Sequence, residues 1–126
     1  MGLEQSLYRR TGGDCDHELA YWRKANYVHR YFTECWEEKG FLSDNCTEFP
    51  VTIKDLEELL EACTKVLSAR DEEVSMAQLP TQSGFFFGDT YYDEGYYESV
   101  EYTLELLKDL IPDLREEDEL YYYAWY

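Results

Sequence analysis

A row of carboxylates stands on one face of a helix predicted in the last third of the chain. Its members are spaced three or four residues apart: Glu94, Glu98, Glu101, Glu105 and Asp109. Because side chains at this spacing are neighbours, each pair repels by about 0.2–0.5 kcal/mol, which uncharged polar residues would have avoided. At ~1.5 Å per residue the row extends over roughly 20 Å, and its charge resembles that of a nucleic-acid backbone. The row predicts a surface that occupies a basic groove on a partner, or else a solvated helix face.

Tyrosines adjoin this row. The chain has 13 of them, and Tyr91 and Tyr92 directly precede the carboxylates. Tyrosine is enriched at interface cores, because its ring buries area while its hydroxyl remains hydrogen-bonded. Acids and tyrosines together predict a site for the basic surface of a nucleic-acid-binding protein complex. The alternative is that the tyrosines only cover the core.

A second cluster has the opposite charge. It comprises, within eight residues, Trp22, Arg23, Lys24, Asn26 and His29. A ring that stacks on a base and cations that attract a phosphate could hold a nucleotide-like ligand. Ser83 and Gly84 would add a hydroxyl and a permissive backbone whose N–H groups could face that ligand. The alternative is a set of ion-paired surface arginines with a core histidine.

No arrangement of residues indicates catalysis, a metal or a cofactor. The chain has two histidines and no GxSxG or HExxH motif, so we expect no enzyme activity. Cys15 and His17 could begin a zinc site, but no second pair stands at ligand spacing. Without a CxxC pair, we expect all four cysteines to remain thiols in a reducing cytosol: Cys15, Cys35, Cys46 and Cys63.

The composition predicts a single domain over residues 1–126 that binds basic partners. The formal net charge is −17, and residues 89–126 carry 12 acids against two bases. Such a field repels nucleic acid and anionic membranes. The chain has no apolar run near the ~20 residues that span a bilayer and no recognisable signal peptide, so we expect it in the cytosol.

The spacing of apolar residues predicts an α+β fold with three helices packed on a small antiparallel sheet. We expect a strand at 3–9 and then a helix at 16–39, with Asp16 as N-cap and Gly40 after its end. The apolar row of this helix would be Trp22, Ala25, His29, Phe32 and Trp36.

The second half of the chain predicts two more helices. A brief extended piece at 49–51 precedes a helix that Thr52 and Asp55 cap and that continues to about Arg70. Residues 71–84 read as a connection and residues 85–87 as a buried strand. The third helix should begin between 90 and 93 and end before Pro112. The aromatic tail predicts a last strand that pairs with the first.

Two segments, AYWRKANYVHRYF at 20–32 and LPTQSGFFFGDTYYDEGYYESVEYTLELLKDL at 79–110, resemble a family of small proteins of unknown function encoded by bacteriophages and prophages. This chain differs from the family pattern by a short N-terminal region, an inserted Gly95 and an extended acidic, aromatic tail. The resemblance implies a phage accessory protein in the host cytosol. It also favours a site shared by the SGFFFG turn at 83–88 and the cluster described above, which we call the first-helix cluster: Trp22, Arg23, Lys24, Asn26 and His29.

Three functions follow as hypotheses. The first is an inhibitor of a host defence complex, of the anti-CRISPR kind, whose acidic surface mimics nucleic acid. The second is a sponge that sequesters a nucleotide-like immune signal in a pocket between the first helix and the SGFFFG turn. The third is a structural or assembly subunit of a phage.

Overall fold

The computed structural model describes residues 2–11, 15–40, 48–83 and 90–126. Within them the chain is α+β, as the sequence predicts, and its strands form one four-stranded sheet. The described residues contain four α-helices rather than the predicted three. In chain order the elements are β1 (Glu4–Thr11), β2 (Cys15–Arg23), α1 (Asn26–Glu38), β3 (Glu48–Val51), α2 (Ile53–Ala69), α3 (Glu72–Gln78), α4 (Glu94–Leu110) and β4 (Glu119–Trp125).

The sheet is antiparallel throughout, with the strand order β2-β1-β4-β3. The predicted pairing of the last strand with the first is confirmed. Leu7 on β1 lies opposite Ala20 on β2 and Tyr122 on β4. Side chains alternate along a strand, so these three share one face, and all three are buried. The ring of Phe32 stacks on that of Tyr122 with 4.5 Å between centroids, so α1 covers this face.

The predicted helix at 16–39 is wrong in its first third, which forms β2. Ala20 and Trp22 are buried, whereas Tyr21 and Arg23 are exposed, and this alternation has the period of a strand. Pairing with β1 along the length of β2 outweighs the helical spacing of the apolar residues. The last members of the predicted apolar row do lie in α1: His29, Phe32 and Trp36.

The ends of α1 show one wrong and one confirmed prediction. Asp16 is not an N-cap, because it lies in β2 and accepts a hydrogen bond of 2.9 Å from Nε of Arg10. The N-cap position belongs to Ala25, which has no side-chain cap. At the other end Gly40 follows the helix with a φ of 89°, a conformation that glycine adopts without strain.

The predicted extended piece and the second helix are confirmed. β3 contains residues 49–51, and α2 begins directly after Thr52. The hydroxyl of Thr52 accepts from the N–H of Asp55 at 3.1 Å, and the carboxylate of Asp55 accepts from the N–H of Thr52 at 3.0 Å. This reciprocal pair is the capping box that the sequence predicts.

The predicted connection at 71–84 contains α3. This helix has only seven residues, too few for a periodic pattern to reveal, although acidic residues fill its first turn. The hydroxyls of Ser75 and Tyr97 share a hydrogen bond of 3.1 Å, which joins α3 to α4. The predicted strand at 85–87 lies outside the described residues.

The helix α4 begins and ends where the sequence predicts. Asp93 is its N-cap and accepts from the N–H of Tyr96 at 3.2 Å, and the helix ends before Pro112. Across the described part of the chain, no helix has the length and hydropathy that crossing a membrane requires. The buried row of α4 is Tyr97, Val100, Leu104 and Leu107.

Candidate functional site

A buried glutamine holds the turn between β2 and α1. Oε1 of Gln5 accepts from the N–H of Ala25 at 2.8 Å, and its Nε2 donates to the carbonyl of Ala25 at 2.9 Å and to the hydroxyl of Tyr122 at 3.0 Å. Lys24 lies in this turn with a φ of 57°, and its N–H donates to the carbonyl of Leu3 at 2.8 Å. A lysine in the left-handed region costs on the order of 1 kcal/mol, which these contacts offset. The basic residues of the turn are thereby placed beside the first residue of α1.

A cavity of about 310 Å³ opens where this turn meets the N-terminal ends of α1 and α4. We call it the α1–α4 pocket. Its lining residues come from β2, the turn after β2, both helices, the segment at Thr81 and the residues directly before α4. The described residues around it that carry charge, hydroxyl or amide groups include Arg23, Lys24, Asn26, Thr81, Asp93 and Ser99.

The pocket carries two cations in an acidic protein. Arg23 and Lys24 are exposed, and neither forms an ion pair with a described residue. Arg30 is engaged instead, because its Nε pairs with Glu34 at 2.9 Å and its Nη1 donates to the carbonyl of Thr81 at 2.9 Å. Arg30 therefore positions the segment at Thr81, while the other two cations can meet an anion.

The segment at 81–83 packs against α1. Oδ1 of Asn26 accepts from the N–H of Gln82 at 3.3 Å, so the first residue of α1 also touches this segment. The structure thus places Asn26, a member of the first-helix cluster, next to the residue that precedes the SGFFFG turn. The sequence predicts that this cluster and this turn form a shared site. Ser83 is exposed and does not line the pocket. Gly84 lies outside the described residues.

Two residues of the predicted ligand cluster lie in the core. Trp22 is 2% exposed, and its Nε1 donates to the hydroxyl of Thr103 at 2.9 Å. His29 is 3% exposed, its Nδ1 shares a hydrogen bond of 2.9 Å with the hydroxyl of Tyr122, and burial lowers its pKa to about 4. Neither residue lines the α1–α4 pocket. They hold the sheet to the helices that form the pocket.

The predicted carboxylate row forms one exposed surface, which we call the acidic α4 face. Glu101 forms an ion pair of 3.5 Å with Arg70. The other four carboxylates make no ion pair with a described residue. Their charge is therefore not balanced by an ion pair within the described part of the chain. The members of the face, all exposed, are Glu94, Glu98, Glu101, Glu105 and Asp109.

A groove of about 480 Å³ lies between this face and β2. Its acidic residues are Glu105, Asp109 and Asp113. Tyr102 stands at its side, 50% exposed, and its hydroxyl donates to the backbone carbonyl of Tyr21 at 2.9 Å. The combination of carboxylates with apolar side chains suits a partner that has both positive charge and apolar surface. The apolar residues of this α4 groove are Leu19, Leu106 and Leu110.

Neither of the two tyrosines that the sequence singles out lines the α4 groove. Tyr91 is 71% exposed and lines the α1–α4 pocket. Tyr92 is half-buried, and its hydroxyl accepts from the N–H of Thr81 at 3.2 Å. Tyr102 lines the α4 groove instead. Its distance of three and four residues from members of the carboxylate row was a signal for it in the sequence.

The thiols of Cys35 and Cys63 are not suited to reaction. Cys63 is buried and Cys35 is half-buried. Burial raises the pKa of the Cys63 thiol to about 12 and that of the Cys35 thiol to about 11. A protonated thiol is a poor nucleophile and a poor metal ligand. Among the described residues, no three histidine, cysteine or acidic side chains are grouped so that they could hold a metal ion.

Comparison with known proteins gives no relative from which a function could be transferred. No protein-family model, curated protein or solved structure matches the chain. The chemistry of two surfaces, the acidic α4 face with its groove and the α1–α4 pocket, is therefore the basis for inferring what the protein does.

Proposed function

We propose that the protein acts by binding, and that its acidic α4 face covers the basic groove in which a partner complex holds nucleic acid. The observation that carries this proposal is the exposed row of five carboxylates, four of which have no cationic partner among the described residues. The repulsion within the row is unfavourable for the isolated helix. A basic partner would turn this unfavourable term into a favourable one.

The dimensions of the row suit a groove that binds a nucleic-acid backbone. From Glu94 to Asp109 the helix rises over roughly 22 Å, at ~1.5 Å per residue. Duplex DNA has one charge per ~1.7 Å of axis, so the row is a sparser anion. It would match several cations in such a groove rather than all of them. The overall charge of −17 would speed encounter with a basic surface.

The α4 groove supplies the apolar part of the interface. A lysine or arginine side chain could lay its methylene stem on Leu106 and Leu110 and direct its charged group to Glu105 or Asp109. Tyr102 could stack on a guanidinium in the same place. An interface of this kind has anchors at its centre and charges around them, the arrangement of tight protein complexes.

The partner we propose is a host defence complex of the kind that anti-CRISPR proteins inhibit. This choice depends on the resemblance of segments 20–32 and 79–110 to proteins of bacteriophages and prophages, so phage origin and host target belong to the proposal. Small phage proteins often act by occupying a host protein. A basic nucleic-acid groove is a feature that such defence complexes need.

The test is capture of tagged protein from a bacterial lysate at low and high salt, with mass spectrometry of what is retained. We expect a nucleic-acid-binding complex that is retained at low salt and released at high salt, because exposed charges are screened within ~8–10 Å at physiological ionic strength. Neutralising three unpaired acids should weaken capture by roughly tenfold or more. The variant combines Glu98→Gln, Glu105→Gln and Asp109→Asn.

A matched control separates this face from the charge of the whole chain. It removes an equal number of negative charges, but from exposed positions on α2 and α3: Glu57→Gln, Glu58→Gln and Glu72→Gln. The control should bind like the unmodified protein. Equal weakening by both variants, or capture that does not respond to salt, would contradict the proposal. Retention of other phage proteins alone would favour the assembly subunit instead.

A further inference from the structure

We infer that the α1–α4 pocket binds a phosphate-bearing ligand of mononucleotide size that also carries an aromatic ring. This site is separate from the acidic α4 face, and the inference does not depend on the function proposed for that face. The cavity of about 310 Å³ is at the lower end of the range in which proteins hold small ligands, which favours one base and one phosphate over a dinucleotide.

The charge of the pocket favours a phosphate. Arg23 and Lys24 are consecutive, exposed and unpaired among the described residues, and both line the same cavity. In a chain of net charge −17, nearby carboxylates could have neutralised them. Elsewhere in the described chain most cations are neutralised in this way. Lys54, Lys108 and Arg115 form no ion pair with a described residue, whereas six cations pair with acids: Arg9, Arg10, Arg30, Lys39, Lys65 and Arg70.

The backbone places one of these cations at a cost to the fold. Lys24 has a φ of 57°, in a region where glycine or asparagine would be less strained. The hydrogen bonds of Gln5 to Ala25 hold the turn in that conformation. The first residue of α1, Asn26, lines the same cavity, so the positive end of the helix dipole adds to the two cations.

Aromatic rings and one acid favour a nucleotide over inorganic phosphate. Tyr91 is exposed and lines the cavity together with Tyr27 and Tyr96, and stacking of a base on such a ring contributes ~1–3 kcal/mol. Ser99 adds a hydroxyl that shares a hydrogen bond of 2.8 Å with that of Tyr27. Asp93 can accept a hydrogen bond from a sugar hydroxyl or a base amino group, and it would repel a second phosphate.

The first measurement is the melting temperature of the full chain with a panel of ligands. The panel contains the four nucleoside 5′-monophosphates, their 3′,5′-cyclic forms and inorganic phosphate as the ring-free comparison. At a hundredfold excess over its Kd, a ligand of the folded state should raise Tm by roughly 10 °C. We expect this rise with at least one nucleotide and a much smaller one with phosphate. No rise with any nucleotide, or an equal rise with phosphate, would overturn the inference.

Two single substitutions then locate the site. Lys24→Asn removes a cation and suits the left-handed turn, so it should fold normally and weaken binding at least tenfold by titration calorimetry. Lys108→Asn removes the charge of another exposed lysine, which forms no ion pair with a described residue and does not line the pocket, and it should bind like the unmodified protein. Equal weakening by both would show attraction to overall charge and would overturn the site. Lys24→Asn should leave capture through the acidic α4 face unchanged, which keeps the two proposals distinct.

Discussion

Acid should destabilise the fold through one buried histidine. His29 is enclosed between α1 and the sheet, where its Nδ1 shares a hydrogen bond with the hydroxyl of Tyr122 and its ring packs at 5.4 Å from that of Tyr126. Nε2 of Gln5 donates to the Tyr122 hydroxyl, whose own proton remains available to donate to Nδ1, an arrangement that suits a neutral imidazole. Burial lowers the pKa of His29 from 6.5 to about 4.

The direction and magnitude of this pH effect follow from the difference between the pKa values of His29 in the folded and the unfolded chain. Between pH 6.5 and pH 4 the unfolded chain binds a proton at His29 that the folded chain does not, so acid favours unfolding. The stabilisation is complete above the unfolded pKa and is lost as the pH falls toward the folded one. With these two pKa values, the free energy of unfolding should fall by about 2 kcal/mol from pH 7 to pH 5 on account of this residue.

Urea unfolding at these two pH values measures the effect. His29→Asn, whose Oδ1 can take the place of Nδ1 and cannot titrate, should reduce the loss on acidification by about 2 kcal/mol relative to the unmodified protein. The matched control is His17→Asn, which removes the other histidine, an exposed residue of β2, and should keep the full pH dependence. The reasoning is refuted if the free energy of unfolding still falls by the full amount between pH 7 and pH 5 in His29→Asn, or if this fall is lost in His17→Asn. All three proteins carry the same carboxylates, so the comparison isolates the effect of the histidines.

Further predictions concern the turn, a helix cap and a thiol. Lys24→Gly should leave the free energy of unfolding unchanged or raise it by up to about 1 kcal/mol, because glycine adopts a φ of 57° freely; a clear loss in urea unfolding would contradict the strain. Thr52→Ala should lower it by about 1 kcal/mol by removing the acceptor for Asp55 N–H, and no change would show that the cap is unimportant. Cys63 should react with a thiol reagent only as fast as the protein unfolds, because burial raises the pKa of its thiol to about 12; rapid labelling of the folded protein would count against this packing.

The sequence predicted the positions of those helices whose first or last residues are marked by capping residues or proline. The capping residues Thr52 and Asp55 identified α2, and Pro112 identified the end of α4. The region before α1 carried a misleading signal, because Asp16, which resembles an N-cap, lies in β2. Its residues show helical and strand spacing at once, and only pairing with β1, which lies before it in the chain, decides in favour of the strand.

The candidate sites were predictable to different degrees. The acidic α4 face could be predicted because a single helix presents it, so spacing along the chain is enough. The α1–α4 pocket depends on how β2, α1 and α4 meet, which no local pattern specifies. Sequence alone therefore grouped Arg23 and Lys24 with Trp22 and His29, whereas the fold turns the first pair to the pocket and the second pair to the core.

The strand order has a consequence for the time course of synthesis. β1 is an inner strand, and one of its two partners, β4, is the last strand of the sheet in chain order: Gln5 and Tyr122, which share a hydrogen bond, are 117 residues apart. At ~5–20 residues per second, a ribosome would leave β1 with an open edge for on the order of ten seconds. During that interval the nascent chain would present apolar residues and unpaired backbone groups to chaperones, proteases and other nascent chains. The period of greatest risk for this protein therefore lies between the synthesis of β1 and that of β4, and codons that slow translation between α1 and β4 should lower its yield without altering its native state.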